Sequence, residues 1–267
     1  MNRKQKIMKR LQEHYDIVAN RGHEIVGLFL QGSQNYNLDY ENSDIDSKAI
    51  LLPSLDSIVL SGKPISTTSV LENDEHIDLK DIRLMFECFK KQNINFVEIL
   101  FTPFYILNPK YAGLFQPLLD IREQVARYNN YAAVNCMCGM SLEKYAALKH
   151  PYPATMDKIE KFGYCPKQFH HIVRLNEFIK RFVAGENYAD CLISKDTEYL
   201  IDVKRGVHPL NEAEELAVKY CDDTKAIKNK YMAENPQHTN REVEVVMNGV
   251  LMSILKHYWK SELIENA

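Results

Sequence analysis

The chain has 267 residues, 45% of them hydrophobic and 26% charged, which is ordinary for a globular protein and enough for one large or two small cores. Its formal net charge of −3 excludes a broad nucleic-acid-coating surface, since such binding is driven by phosphate neutralisation, but leaves room for a local basic pocket. No run approaches the ~20 apolar residues of a membrane helix. The start MNRKQKIMKRLQEHYD lacks a signal peptide's apolar core, and the 6 cysteines are scattered without zinc-site spacing. A cytoplasmic protein with reduced thiols and no membrane partner is therefore expected.

In chain order, the basic head carries Ile7, Leu11, Tyr15 and Val18 at helical spacing, which predicts a packed helix with a solvated basic face rather than a nucleic-acid arm. Short apolar runs then alternate with turns. Residues 25–31, 45–52, 65–71 and 75–80 predict strands, and 81–92 predict a helix opened by Asp81. Near residue 130 the period becomes helical: NYAAVNCMCGMSLEKYAALKH, then PKQFHHIVRLNEFIKRFV, then two helices with capping boxes at Asn211–Glu214 and Thr239–Glu242. In the last of these, Val243, Val246, Met247, Val250, Leu251, Ile254, Leu255 and Tyr258 make one apolar stripe that predicts core. The division expected is an α+β (α/β) region over 1–128 and a helical region over 129–267, without internal repeats or low-complexity tracts.

The chemistry concentrates in 27-GLFLQGSQNYNLDYENSDIDSKAILLP-53. An apolar strand runs into Gly32-Ser33, where a residue without Cβ lets backbone N–H groups approach a phosphate closely. Asp44 and Asp46 follow, and residues i and i+2 of a strand share a face with Cα atoms roughly 6–7 Å apart. Asp78 in HIDLK offers a third carboxylate; Asp74 and Glu75 compete with it, but Ile77 and Leu79 alternate around Asp78 as a half-buried strand requires. Three carboxylates beside an exposed Gly-Ser turn form an all-oxygen site suited to Mg²⁺ and its attached phosphates. Tyr36 reads as packing ahead of base stacking, and Glu98 as a brace or a buried ion-pair partner.

Together these residues resemble the DNA polymerase β-like nucleotidyltransferase superfamily: a strand ending in Gly-Ser, then acid-x-acid on the next strand and an acid on a later one. The chain is most similar to the nucleotidyltransferases of bacterial RNA-repair clusters and large phages. Their pattern G-S-x-x-Y-G-L, S-D-x-D, D-L-K, N-x-x-E-x-L and Y-x-P-K-x-x-x-H-x-x-R-L appears here as GSQNYNL, SDID, DLK, NFVEIL and YCPKQFHHIVRL. Asn37 departs from the pattern's Gly, and Asn is the residue best able to replace Gly at positive φ.

The resemblance implies a minimal nucleotidyltransferase domain over 1–128, a short mixed sheet flanked by helices, and a helical domain over 129–267 that closes the nucleotide cleft. It implies transfer of a nucleoside monophosphate from an NTP, ATP or CTP, to an acceptor hydroxyl with release of pyrophosphate. In that scheme Gly32 and Ser33 hold the triphosphate, Asp44 and Asp46 bind two Mg²⁺ or Mn²⁺ ions, and Asp78 completes the site of the ion that activates the acceptor. Lys167, His170, His171 and Arg174 fall on one helical face; Lys167 and Arg174 suit the β- and γ-phosphates, and His171 a phosphate contact or proton transfer. An RNA or tRNA end is the acceptor that the family's setting suggests. A metal-dependent phosphohydrolase and a non-catalytic nucleotide sensor are the alternatives, and the oligomeric state is not legible.

Overall fold

The computed structural model describes residues 2–40, 43–153 and 155–265, and the chain falls into two compact units. The first comprises Met1–Asn35, Tyr40–Tyr128 and Asn240–Ala267; the second comprises Tyr36–Asp39 and Asn129–Thr239. All six cysteines are free thiols. No helix among the described residues is long and apolar enough to cross a membrane.

The first unit begins with helix α1 (Arg3–Ala19), opened by reciprocal hydrogen bonds between Asn2 and Gln5. Its strands are β1 (Ile25–Gln31), β2 (Asp46–Leu51), β3 (Ser66–Val70), β4 (His76–Asp81) and β5 (Tyr105–Leu107), ordered β3-β4-β2-β1-β5 in one sheet. β2 and β4 run parallel and the other neighbours antiparallel. Helix α2 (Leu55–Val59) follows β2, α3 (Ile82–Lys90) and α4 (Ile94–Val97) follow β4, and α5 (Ala112–Asp120) and α6 (Arg122–Ala126) follow β5. Asp81 caps α3 by accepting from the Arg83 N–H at 2.8 Å, as its position predicts. A mixed sheet with flanking helices is the α+β architecture expected from the alternation of strand and helix periods.

The period of two along each strand sorts its side chains. Leu28, Leu30, Ala49, Leu51, Ile77 and Leu79 pack on Ile7, Leu11 and Val18 of α1, so the basic head is a packed helix. Each fully buried Leu, Ile or Val side chain among them contributes about 1.5–3 kcal/mol of transfer free energy. On the opposite face Phe29 lies 5.8 Å from Phe115 and 5.7 Å from Tyr105, ring centre to ring centre. The alternation that buries these residues also determines which polar residues share a face near Asp46.

The second unit contains α7 (Asn130–Ala146), α8 (Met156–Phe162), α9 (Pro166–Val183), α10 (Tyr188–Leu192), α11 (Thr197–Arg205) and α12 (Leu210–Glu234). α9 is its centre, burying Phe169, Ile172, Val173, Phe178, Ile179 and Phe182 against α7, α11 and α12. The chain then re-enters the first unit as α13 (Arg241–Glu265), whose Val243, Met247, Val250, Ile254 and Leu255 are buried and which packs on α5 and α3. At the re-entry point the Asn240 N–H donates to the Tyr128 carbonyl at 2.9 Å. Trp259 Nε1–H donates to the Pro53 carbonyl at 3.0 Å, and Glu262 accepts from the Leu55 N–H at 2.9 Å.

Both expected capping boxes shift. α12 is preceded by Pro209 with no side-chain cap, which leaves Asn211 and Glu214 inside the helix. α13 is capped by Asn240, whose Oδ1 accepts from Glu242 N–H at 3.1 Å and Val243 N–H at 3.2 Å. The cap thus moves one residue along from Thr239 to Asn240, and Asn ranks above Thr at this position.

Candidate functional site

β1 ends at Gln31 and the chain turns at Gly32, where φ is +92°. A Cβ there would meet nothing within 4 Å, so conformation rather than space calls for glycine. A 3₁₀ turn, Ser33–Tyr36, follows, and Asn37 takes φ +57°, the left-handed conformation that its place in the motif predicts. Side chains pin this loop at both ends. Asn35 Nδ2 donates to the Leu30 carbonyl at 2.9 Å while its Oδ1 accepts from the Thr102 hydroxyl at 2.6 Å. Buried Gln34 reaches across the loop, its Nε2 donating to the Asp44 carbonyl at 2.6 Å. The Gly-Ser turn and the first acid of the motif are thus tied by one amide side chain.

Asp44 is exposed just before β2, and Asp46 is the strand's first residue. Register then decides what Asp46 shares a face with: Gln31 of β1 is opposite Asp46, and Lys48 of β2 is opposite Asp78 of β4. Asp46 Oδ1 accepts from the His76 backbone N–H at 2.8 Å and lies 3.3 Å from His76 Nδ1. Lys48 Nζ donates to Asp78 Oδ2 at 2.8 Å, and the Thr68 hydroxyl donates to Asp78 Oδ1 at 2.6 Å. Burial pushes the Asp78 carboxyl up, but the Lys48 charge and hydrogen bonds from Lys48, Thr68 and Gln31 outweigh it and hold the group below the usual carboxylate range. Asp78 is therefore a paired anion at neutral pH.

Phe96 of α4 completes the group. Lys48 Nζ lies 4.3 Å and Lys80 Nζ 4.5 Å from its ring centre, both in cation–π contact, and Lys80 also donates to the Ser66 hydroxyl at 2.9 Å. Lys48 is only 2% exposed.

The competing acids lie elsewhere. Asp74 sits at φ +63° in the turn between β3 and β4. Glu75 has the parity of Ile77 and Leu79, so it is buried on the α1 side of the sheet, where Arg10 and His14 donate to it and it accepts from the Ile45 N–H. Glu98 is buried at the head of a 3₁₀ turn. Tyr36 is 2% exposed, so its ring is packed.

A divalent cation is the group that the sequence motif implies, and the donor set gives a divided answer. Asp44 and Asp46 are hard-oxygen donors two residues apart at the mouth of the loop. Asp78 has both carboxylate oxygens engaged and an ammonium 2.8 Å away, which does not fit a second divalent ion. Among the described residues, no three His, Cys, Asp or Glu side chains gather at metal-ligand spacing.

In the second unit the basic face of α9 separates into dissimilar parts. Lys167 is exposed one residue after Pro166, which starts the helix. His170 is buried and donates from Nδ1–H to the Leu200 carbonyl at 2.9 Å; burial pushes its pKa down to about 4. His171, its ring 5.5 Å from that of His170, is also held well below its usual value, by burial first and then by the neighbouring His170, Arg174 and Lys167. Both imidazoles are neutral at pH 7, so His171 can offer a donor or an acceptor but not a charge. Arg174 lies 3.7 Å over the ring of Tyr36, and Lys204 Nζ donates to the Leu38 carbonyl at 3.2 Å, so the Tyr36–Asp39 segment is bound within this unit.

Sequence reasoning missed Lys48, His76, Gln34 and Phe96. Lys48 carried a signal, since it stands two residues after Asp46 and must share its face. His76 and Phe96 depend on register and on α4, which no local pattern reveals.

No protein-family model matches the chain, and no curated protein matches it. Among solved structures it is similar to the crystal structure of a nucleotidyltransferase-like protein from Exiguobacterium sibiricum 255-15, at 10% identity over 83% of this chain and 75% of that one, with a TM-score of 0.29. A likeness this loose says nothing of activity.

Proposed function

We propose that the chain is a nucleotidyltransferase that moves a nucleoside monophosphate from an NTP to an acceptor hydroxyl. The observation that supports this is the juxtaposition in the first unit: a positive-φ Gly-Ser turn ends β1, and Gln34 ties it to the Asp44-x-Asp46 entry of the neighbouring strand. Backbone N–H groups at Gly32 and Ser33, with the Ser33 hydroxyl, would hold triphosphate oxygens. Asp44 and Asp46 would hold the Mg²⁺ or Mn²⁺ that accompanies the nucleotide. When bound, that ion supplies charge neutralisation on the phosphates. His76, through its backbone N–H and ring, fixes the orientation of the Asp46 carboxylate. In the transfer, a bond forms from the acceptor oxygen to the α-phosphorus. The bond from that phosphorus to the β-bridging oxygen breaks, pyrophosphate leaves with the electron pair, and the hydroxyl proton passes to water. Catalysis of this kind is positioning and charge neutralisation without a covalent enzyme intermediate.

The resemblance to RNA-repair enzymes nominates an RNA or tRNA 3′ hydroxyl as the first acceptor to test, with ATP or CTP as donor. The test is incubation with each α-labelled NTP, Mg²⁺ or Mn²⁺, and separate pools of RNA, protein and metabolites. Label transferred to one pool with release of pyrophosphate is expected, and its location identifies the acceptor. Release of monophosphate instead would make the chain a phosphohydrolase, and nucleotide binding without turnover would make it a sensor.

A further inference from the structure

We infer that Lys48 is a built-in cation that takes the place of a second divalent ion, so that this site works with one metal ion, the one brought with the nucleotide. The inference rests on the nucleotidyl-transfer reading above. A phosphoryl-transfer site with three carboxylates is suited to two cations because each ion needs several oxygen ligands. Here the third carboxylate is not available to an ion. Asp78 Oδ2 carries the Lys48 ammonium at 2.8 Å, and Asp78 Oδ1 carries the Thr68 hydroxyl at 2.6 Å.

The ammonium is not a passing surface contact. Lys48 is 2% exposed, it stands in the sheet between Phe29 of β1 and Asp78 of β4, and its Nζ sits over the Phe96 ring at 4.3 Å. A cation buried between a carboxylate and an aromatic face is held from both sides. Lys80 brings a second ammonium to the same ring at 4.5 Å. A dication entering on Asp78 would have to displace one buried ammonium and remain near another, with a single carboxylate to offset them. Lys48 thereby supplies, permanently and without dissociation, positive charge beside Asp78. The i, i+2 spacing of Asp46 and Lys48 fixes the anion that takes the nucleotide's metal and the cation that replaces the other one on the same face of one strand.

Counting bound Mn²⁺ by electron paramagnetic resonance on the full chain, with a non-hydrolysable α,β-methylene NTP present and the Asp46→Asn variant as background, tests this. The wild type should bind one Mn²⁺ per chain above background. Lys48→Met should bind two, and Lys48→Met combined with Asp78→Asn should return to one. Two ions in the wild type would overturn the inference and leave nucleotidyl transfer standing. One ion in Lys48→Met would also overturn it, because Lys48 would not be what excludes the second. If Lys48→Met does not fold, with Asp78 left buried and unpaired, the wild-type count decides the question by itself. Neither Mn²⁺ nor nucleotide bound to the wild type would overturn the reading of the function, and this inference with it.

Discussion

Two acidic groups occupy opposite faces of the same strand pair. On the α1 side, Glu75 is buried, receives hydrogen bonds from Arg10 and His14, and accepts from the Ile45 N–H, while His14 Nδ1 accepts from the Ser47 hydroxyl at 2.9 Å. On the other side, Asp46 and Asp78 are partly exposed at the mouth of the Gly-Ser loop, with Lys48 and His76 as partners. Glu75 and His76 are adjacent in the chain, yet the strand's period of two places one in a closed structural network and the other in an open polar one. An acid's chemical availability thus depends on its parity along the strand more than on its distance along the sequence. Glu75 braces the start of β2 from behind, and Asp46 presents that start to solvent.

The largest effect that would sharpen this contrast is the loss at Asp46. Asp46→Asn should lower pyrophosphate release on the order of 10³-fold with the melting temperature nearly unchanged, because an amide oxygen can still accept from the His76 N–H. Activity retained within a few-fold would remove the open cluster from catalysis. Glu75→Gln should show the reverse pattern. Breaking a buried pair by removing one partner costs about 3–5 kcal/mol, while the folded fraction keeps activity within a few-fold of wild type, as denaturant titration and specific activity would show. A catalytically dead but fully stable Glu75→Gln would collapse the distinction between the faces.

The third effect is a dependence on pH. The Glu75 carboxyl is pushed up by burial but held below its ordinary value by hydrogen bonds from Asn73, Arg10 and His14; the His14 imidazole is pushed down by burial despite Glu75. Both groups therefore bind fewer protons folded than unfolded, so stability rises with pH. Their contribution is full above the unfolded values and is lost on acidification, beginning below 6.5 for His14 and below 4.5 for Glu75. Melting curves of the wild type between pH 7 and 4 should fall accordingly, and Glu75→Gln should lack the portion below 4.5. An unchanged profile in the variant would mean that Glu75 is not the titrating group.

The smallest effect compares two hydroxyls of like chemistry. Ser47→Ala strands His14 Nδ1 in the core and should cost about 1–3 kcal/mol. Thr68→Val, at an exposed position beside Asp78, should cost no more than about 1 kcal/mol. Equal costs by denaturant titration would show that the two faces do not differ in solvent access.

Much of the first unit is legible locally. Short apolar runs between turns announce β1 to β4, Asp81 announces the start of α3, and Asn37 announces its positive φ. β5 is not, because Tyr105–Leu107 is too short to show a period. The parallel pairing of β2 with β4 and the return of α13 to α5 are also hidden, since an apolar stripe declares that a face is buried without naming its cover. In the candidate site, the Gly-Ser turn and the acid pair are visible as spacing, whereas the Lys48–Asp78 ion pair appears only once the register is known. The histidines of α9 mislead for a different reason. The string KQFHHIVR looks basic, but a neutral imidazole can be buried wherever a carbonyl such as that of Leu200 accepts its proton.

The single amide-to-carbonyl bond from Asn240 to Tyr128 has an architectural consequence. Apart from the four residues Tyr36–Asp39, the second unit is a continuous length of chain spliced into the first, entering and leaving through two positions held side by side. Such a splice point is a cassette boundary: whatever lies between Tyr128 and Asn240 can lengthen, shorten or be exchanged across generations without re-threading the sheet, provided that its two ends still meet and that it keeps the contacts of Arg174 and Lys204 with Tyr36 and Leu38.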